Sequence, residues 1–288
     1  MKTNAVVRII LWCLTLTILL SMLAIGLMRP SFLLSGHSSH FRESESSAPS
    51  GVVASTYKAD PTAVRKLEID WVAGNISVRS GDVDVITISE SGAFDQKYTM
   101  YCRQKGDTLE IAACQGALSL SDSLKKNLKK DLTIVIPRKD ALRLLEIDAA
   151  SAEISVEDLE IQEVVLDTAS GAARFENCSV EDLDLDTASG DLKFQGSLNN
   201  LDFDSASAKI TAVLTNVPRS IDMDTASGDL ELTLPKDAGF TVEMDALSSK
   251  FHSDFPCVSR NGVQICGDGY CQIQIDTMSG RVNIYQQK

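Results

Sequence analysis

The chain has 288 residues, with 27 basic and 40 acidic side chains and a formal net charge of −13. Its hydrophobic share of 44% and its seven prolines exclude wholesale disorder and allow one large or two small domains. An acidic surface repels phosphate backbones, so nucleic acid is set aside as a partner.

Taken in chain order, residues 1–8 carry Lys2 and Arg8. Residues 9–28 then read IILWCLTLTILLSMLAIGLM, without a charge. Twenty residues at ~1.5 Å rise span a hydrocarbon core of ~30 Å. A secretory signal has a shorter apolar run, Ser21-Met22-Leu23-Ala24 is a poor cleavage site, and Arg29-Pro30 closes the span. The expectation is an uncleaved, single-pass transmembrane helix at 9–28 with a cytoplasmic tail at 1–8. Lys2, Arg8 and the amino terminus against Arg29 place the N-terminus inside and the bulk outside the cell. Residues 29–60, with SGHSSHFRESESSAPSG, read as a flexible Ser-rich tether. His37 and His40 lie in it, but ligands on a mobile linker must first be ordered, so no metal is assigned to them.

From 61 to 288 a short phrase recurs: DAASAEI at Asp148, DTASGAA at Asp167, DTASGDL at Asp186, DSASAKI at Asp204 and DTASGDL at Asp224. DALSSKF at Asp245 and DTMSGRV at Asp276 are weaker copies. The gaps between these aspartates are 19, 19, 18, 20, 21 and 31 residues, a period that means stacked units. Apolar residues stand three and one before each aspartate, as in Leu183/Leu185, and six and eight after it, as in Leu192/Phe194. Such period-two spacing marks strands with one buried face. The predicted fold is therefore all-β, a single-chain β-solenoid of seven or eight coils with a period of about 20 residues, stacked ~4.8 Å apart.

LEIDWVAGNISV around Asp70 repeats the register and reads as a degenerate first coil, with Trp71 in place of a small residue. YTMYCRQ and TLEIAA flank Lys105-Gly106-Asp107 as a hairpin that places Cys102 nearer Glu110. SLSDSLKKNLKKDL, residues 119–132, breaks the pattern. It reads as a loop or short helix covering an open end of the stack. Its Lys125, Lys126, Lys129 and Lys130 also suit contact with anionic wall polymer or lipid headgroups.

Asp and Ser bond local amides and Gly permits positive φ, so D-T-A-S-G predicts a turn that Asp caps and Ser-Gly reverses. Stacked one strand spacing apart, Asp148, Asp167, Asp186, Asp204 and Asp224 repel unless amides, water or a cation compensate. Calcium suits such oxygens, but the Gly-Gly-x-Gly-x-Asp nonapeptide of calcium-binding solenoids is absent, so no metal or cofactor is assigned. No Gly-x-Ser-x-Gly elbow, His-Glu-x-x-His or phosphate loop appears, and His252 is the one histidine beyond the tether. Carboxylates repeated over equivalent coils signal architecture, whereas a catalytic dyad is singular. No catalytic residue is assigned, and an enzyme is not expected.

Of the cysteines, Cys13 is an apolar residue of the span, and Cys178 aligns with Leu159 as a core thiol. Cys257 and Cys266 flank Arg260-Asn261-Gly262-Val263. A two-residue Asn-Gly turn sets them opposite each other, and oxidation outside the cell joins them. Cys271 competes for either partner, and the state of Cys102 and Cys114 stays open. No Cys-x-x-Cys is present, which argues against zinc.

The repeated D-T-A-S-G-D-L with its L-x-L strands resembles the bacterial "putative-adhesin" family of cell-envelope proteins, whose coil signature is T-x-S-G-D-[IL]. Thr168 to Gly171, Thr187 to Leu192, Thr225 to Leu230 and Thr277 to Gly280 carry the resemblance, which spans 61–288. Ala152 and Ala208 depart from it where glycine is usual. The resemblance implies the stacked β-repeat fold, a Gram-positive-type envelope and an adhesion label, and it transfers no catalytic residues. The expected function is a membrane-anchored, cell-surface, non-enzymatic binding or structural module whose partner is wall polymer, matrix or a surface or membrane protein. The alternative is an envelope-stress or signalling accessory, which needs a membrane partner because an eight-residue tail is too short to signal.

Overall fold

The computed structural model describes residues 52–53, 55–92, 98–115, 129–138 and 140–288. The tail at 1–8, the span at 9–28, Cys13, His37, His40 and Lys125 and Lys126 lie outside the described residues. Among the described residues, no helix is long and apolar enough to cross a membrane.

Among the described residues every regular element is a strand. The series runs β1 (Val52–Val53), β2 (Thr56–Ala59), β3 (Lys66–Gly81), β4 (Ile86–Ser91), β5 (Tyr101–Lys105), β6 (Thr108–Ala112), β7 (Asp131–Pro137) and β8 (Leu142–Glu157). It continues with β9 (Glu160–Ser170), β10 (Ala173–Ser189), β11 (Leu192–Leu214), β12 (Ser220–Leu234), β13 (Phe240–Ser253), β14 (Cys257–Arg260), β15 (Val263–Cys266) and β16 (Cys271–Gln286). They hydrogen-bond into one open sheet whose main path is β1-β5-β6-β3-β8-β9-β10-β11-β12-β16-β13-β15-β14.

The long strands are parallel and in register. Leu183 neighbours Val164 and Leu201, and Leu185 neighbours Leu166 and Phe203, so equal positions of successive coils stack. The phrase aspartates form one continuous row: Asp70, Asp148, Asp167, Asp186, Asp204, Asp224, Asp276 and Asp245. Eight coils result. Each interior coil buries apolar side chains such as Leu183, Leu185, Leu192 and Phe194. At ~1.5–3 kcal/mol apiece these four supply ~6–12 kcal/mol of burial. Phe175 and Phe194 of adjacent coils stack with centroids 5.4 Å apart.

At Asp148, Asp204, Asp224, Asp245 and Asp276 the phrase is a bend inside a continuous strand, which corrects the expected turn there, whereas after Ser170 and Ser189 the strand is interrupted for two residues. In β12, Ile221, Met223 and Thr225 point inward, and so do Leu230, Leu232 and Leu234. The odd spacing from Thr225 to Leu230 reverses the inside–outside alternation, and this folds one strand into two arms around a common core. Glycine belongs here because coils touch backbone to backbone: a Cβ on Gly171 (φ 124°) would lie 2.0 Å from the Ala152 carbonyl oxygen. Ala152 and Ala208 stand at the equivalent position in their own coils. The second corner uses left-handed residues, Asp158 (φ 55°) and Asn177 (φ 53°), whose side chains meet at 3.3 Å.

The two ends differ. At the start, β6 and β7 pair with the first and second arms of β3, so together they continue the stack as the two arms of a coil. At the far end the last coil is out of order. β16 inserts between β12 and β13, parallel to both, after the β14–β15 hairpin has carried the chain away and back.

Candidate functional site

The first arms present an acidic sheet face. Beside the aspartate row runs a second row of outward positions: Glu68, Glu146, Val165, Asp184, Asp202, Asp222, Gln274 and Glu243. The second arms carry both signs, with ion pairs Lys209–Glu231 (2.8 Å), Arg281–Asp229 (2.9 Å) and Arg174–Glu176. Charge is thus segregated by arm.

Crowding shows in the protonation equilibria. Asp148 and Asp204 are pushed up to about 7 and Asp186 to about 6, first by partial burial against the sheet and then by neighbouring carboxylates. Burial raises Asp70, Asp184 and Asp222 as well. Like charges one strand spacing apart (~4.8 Å) repel by about 1 kcal/mol in water and a few-fold more at a protein surface. Apolar burial in each coil exceeds this, so the packing imposes the acidic row rather than the reverse.

Acids other than the first aspartate of the phrase cap the corner. The acids after the glycine do it, and they reach the neighbouring coil. Asp191 Oδ1 accepts from the Lys209 amide at 2.9 Å, and Asp229 Oδ1 from the Arg281 amide at 2.8 Å. Asp131 Oδ1 does the same for Asn75 at 2.9 Å. The signal was in the sequence, as the D of G-D-L. Inside the corner, the threonines of the phrase are buried: Thr168 and Thr277 donate to the Ser170 and Ser279 carbonyls at 3.0 and 3.1 Å. Among the described residues, no group of three or more His, Cys, Asp and Glu side chains is arranged to hold a metal ion.

Lys130 departs from the expected exposed lysine cluster, of which Lys129 alone is seen at the surface. It is buried, with its Nζ 2.6 Å from Glu90 Oε2 and 2.7 Å from the Tyr98 carbonyl. It lies 4.7 Å from the Trp71 ring, and Trp71 Nε1 donates to the Lys130 carbonyl at 2.9 Å. Glu90 Oε1 accepts from the Met100 amide at 2.9 Å. Trp71, aligned with Ala149, faces inward as its register implied. The pair closes the start of the stack from inside.

The cysteines divide as follows. Cys257 and Cys266 are directly opposite across the Asn261-Gly262 turn and form a disulfide. Cys102, Cys178 and Cys271 are free thiols, and these three and Cys114 are buried. Cys102 faces Ile111, not Glu110, because the β5–β6 turn holds only Gly106 and Asp107 between the paired Lys105 and Thr108. His252 is exposed and lies 3.4 Å from Asp254.

A stack of in-register parallel coils, each bent at a small-residue corner, defines a β-repeat class. The chain belongs to the Toastrack DUF4097 family, whose model matches residues 64–211 and 195–285. Comparison with curated proteins gives no match. Among solved structures, the chain is similar to a "putative adhesin" from Bacteroides fragilis, at 13% identity over 82% of this chain and 98% of that one, with a TM-score of 0.42. It is also similar to a "putative adhesin" from Parabacteroides distasonis, at 14% identity over 80% and 95%, with a TM-score of 0.42. A "putative cell adhesion protein" from Clostridium sporogenes matches at 12% identity over 81% and 98%, with a TM-score of 0.35.

Proposed function

We propose that this protein is a non-enzymatic binding module of the cell surface, anchored by residues 9–28 and displaying its coils outside the membrane. The observation that carries the reading is the acidic face of the first arms, in which equivalent carboxylates repeat from coil to coil. Repetition of this kind suits multivalent contact along the stack and lacks the singular pair of groups that acid–base chemistry uses. Its field repels anionic polymers, so a partner bound there is a basic protein or matrix component. Wall polymer falls to the mixed-charge second arms.

Cross-linking on intact cells, followed by mass spectrometry of what is attached, tests this. Surface or matrix components, with loss of attachment in an Asp184→Asn/Asp202→Asn/Asp222→Asn variant, are the expected result. A single membrane protein recovered in stoichiometric amount overturns it in favour of the accessory role.

A further inference from the structure

We propose that the outer edge of β13 is a self-association surface, through which two copies of this chain pair antiparallel, end coil against end coil. Along one side β13 is paired with β16 from Phe240 to Ser253. On the other side β15 covers only Phe240 to Val242. From Glu243 to His252 the second edge has no strand partner among the described residues. The end coil is also incompletely packed. Met244 and Phe251 are half-buried, whereas their neighbours Ile275 and Val282 in the next coil are 1% and 2% exposed. Leu247 is 65% exposed beside the corner.

The occupant follows from the edge itself. A two-fold axis through the corner, placed between Leu247 and Ser248, lays each arm on the other arm of the second copy. The inside of one coil then continues the inside of the other. Glu243 falls opposite His252 of the second copy, Met244 opposite Phe251, Asp245 opposite Lys250, Ala246 opposite Ser249 and Leu247 opposite Ser248. Acid meets base at both charged pairs, and apolar meets apolar at the inward pair. A slip of one residue sets Met244 against Lys250 or His252 instead. Pairing stops at Glu243 because the adjacent Val242 is already bonded to Gln264 of the hairpin. The same edge of β13 serves both copies, so the contact is isologous and closes as a dimer.

The test is sedimentation equilibrium of the full chain in detergent micelles, with Asp245→Lys, Lys250→Asp and the double variant. Both side chains are exposed, so the fold tolerates the changes. The expected result is a dimer whose dissociation constant rises about tenfold or more in each single variant, from two symmetry-related like-charge contacts, and returns to near the original value in the double variant. A chain that stays monomeric overturns the proposal. So does a dimer indifferent to the single changes, or one that the double variant does not restore. The readout is oligomeric state and not attachment to a partner, so this proposal and the binding-module reading fail separately.

Discussion

Asp229 and Arg281 are 52 residues apart in sequence yet share a corner: the carboxylate accepts the Arg281 amide at 2.8 Å and the guanidinium at 2.9 Å. The contact lies across the joint at which β16 enters between β12 and β13. Arg281 holds the Asp229 carboxyl below its usual range. Asp229→Ala removes a backbone cap and is expected to cost about 1 kcal/mol. Arg281→Ala, which keeps the cap, costs less. Urea midpoints of the two variants measure this, and equal losses would show that the cap contributes nothing.

Lys130 and Glu90 form a buried pair with side chains 4% and 0% exposed. Burial lowers the Lys130 ammonium from its ordinary value, and the Glu90 bond opposes that shift. Lys130→Met leaves a buried carboxylate unpaired, so a loss of about 3–5 kcal/mol is expected. Lys130→Met with Glu90→Leu recovers most of it, since both charges are then gone. A double-mutant cycle by thermal unfolding reads the coupling, and additive losses would remove the pair from its structural role.

The aspartate row makes stability depend on pH. A carboxyl whose folded value lies above its unfolded one contributes stability fully present below the unfolded value, near 4, and lost as pH rises through the folded value. For Asp148 and Asp204, at about 7, and Asp186, at about 6, that loss runs from near pH 4 up to about pH 7. The unfolding temperature is expected to be higher at pH 5 than at pH 8, with the slope flattened in an Asp148→Asn/Asp204→Asn variant. A midpoint that rises with pH over this window contradicts the account.

Two glycines of positive φ separate conformational strain from contact. A Cβ at Gly171 meets the Ala152 carbonyl at 2.0 Å, whereas one at Gly262 (φ 89°) meets nothing within 4 Å. Gly262→Ala therefore carries backbone strain alone, about 1 kcal/mol, and Gly171→Ala adds displacement of a neighbouring coil, about 2–4 kcal/mol in all. Chemical denaturation ranks them, and the reverse order would mean that coils separate freely at the corner.

Much of the stack was legible because its signals are local. Period-two apolar pairs around each phrase aspartate specify which face is inward, and one buried face determines the register. Asn261-Gly262 likewise set Cys257 opposite Cys266 through turn geometry alone. The corner was misread for a related reason. Asp, Ser and Gly favour turns as isolated residues, but in register they let a bent strand keep its ladder, and capping passes to Asp191 and Asp229.

The amino-acid sequence by itself determined the all-β class, the coil period, the row of aspartates and the disulfide, since each depends on residues close in the chain. Only the tertiary structure decided the order of the last two coils and the fate of Lys130. Asp224, Asp245 and Asp276 sit in near-equivalent phrases, so any of their coils can stack on any other, and local pattern does not rank the arrangements. β16 between β12 and β13 is a choice made by packing over the whole end of the stack. Lys130 reads as one of a run of surface lysines because its partner Glu90 stands 40 residues away, and only folding brings the two charges together out of water.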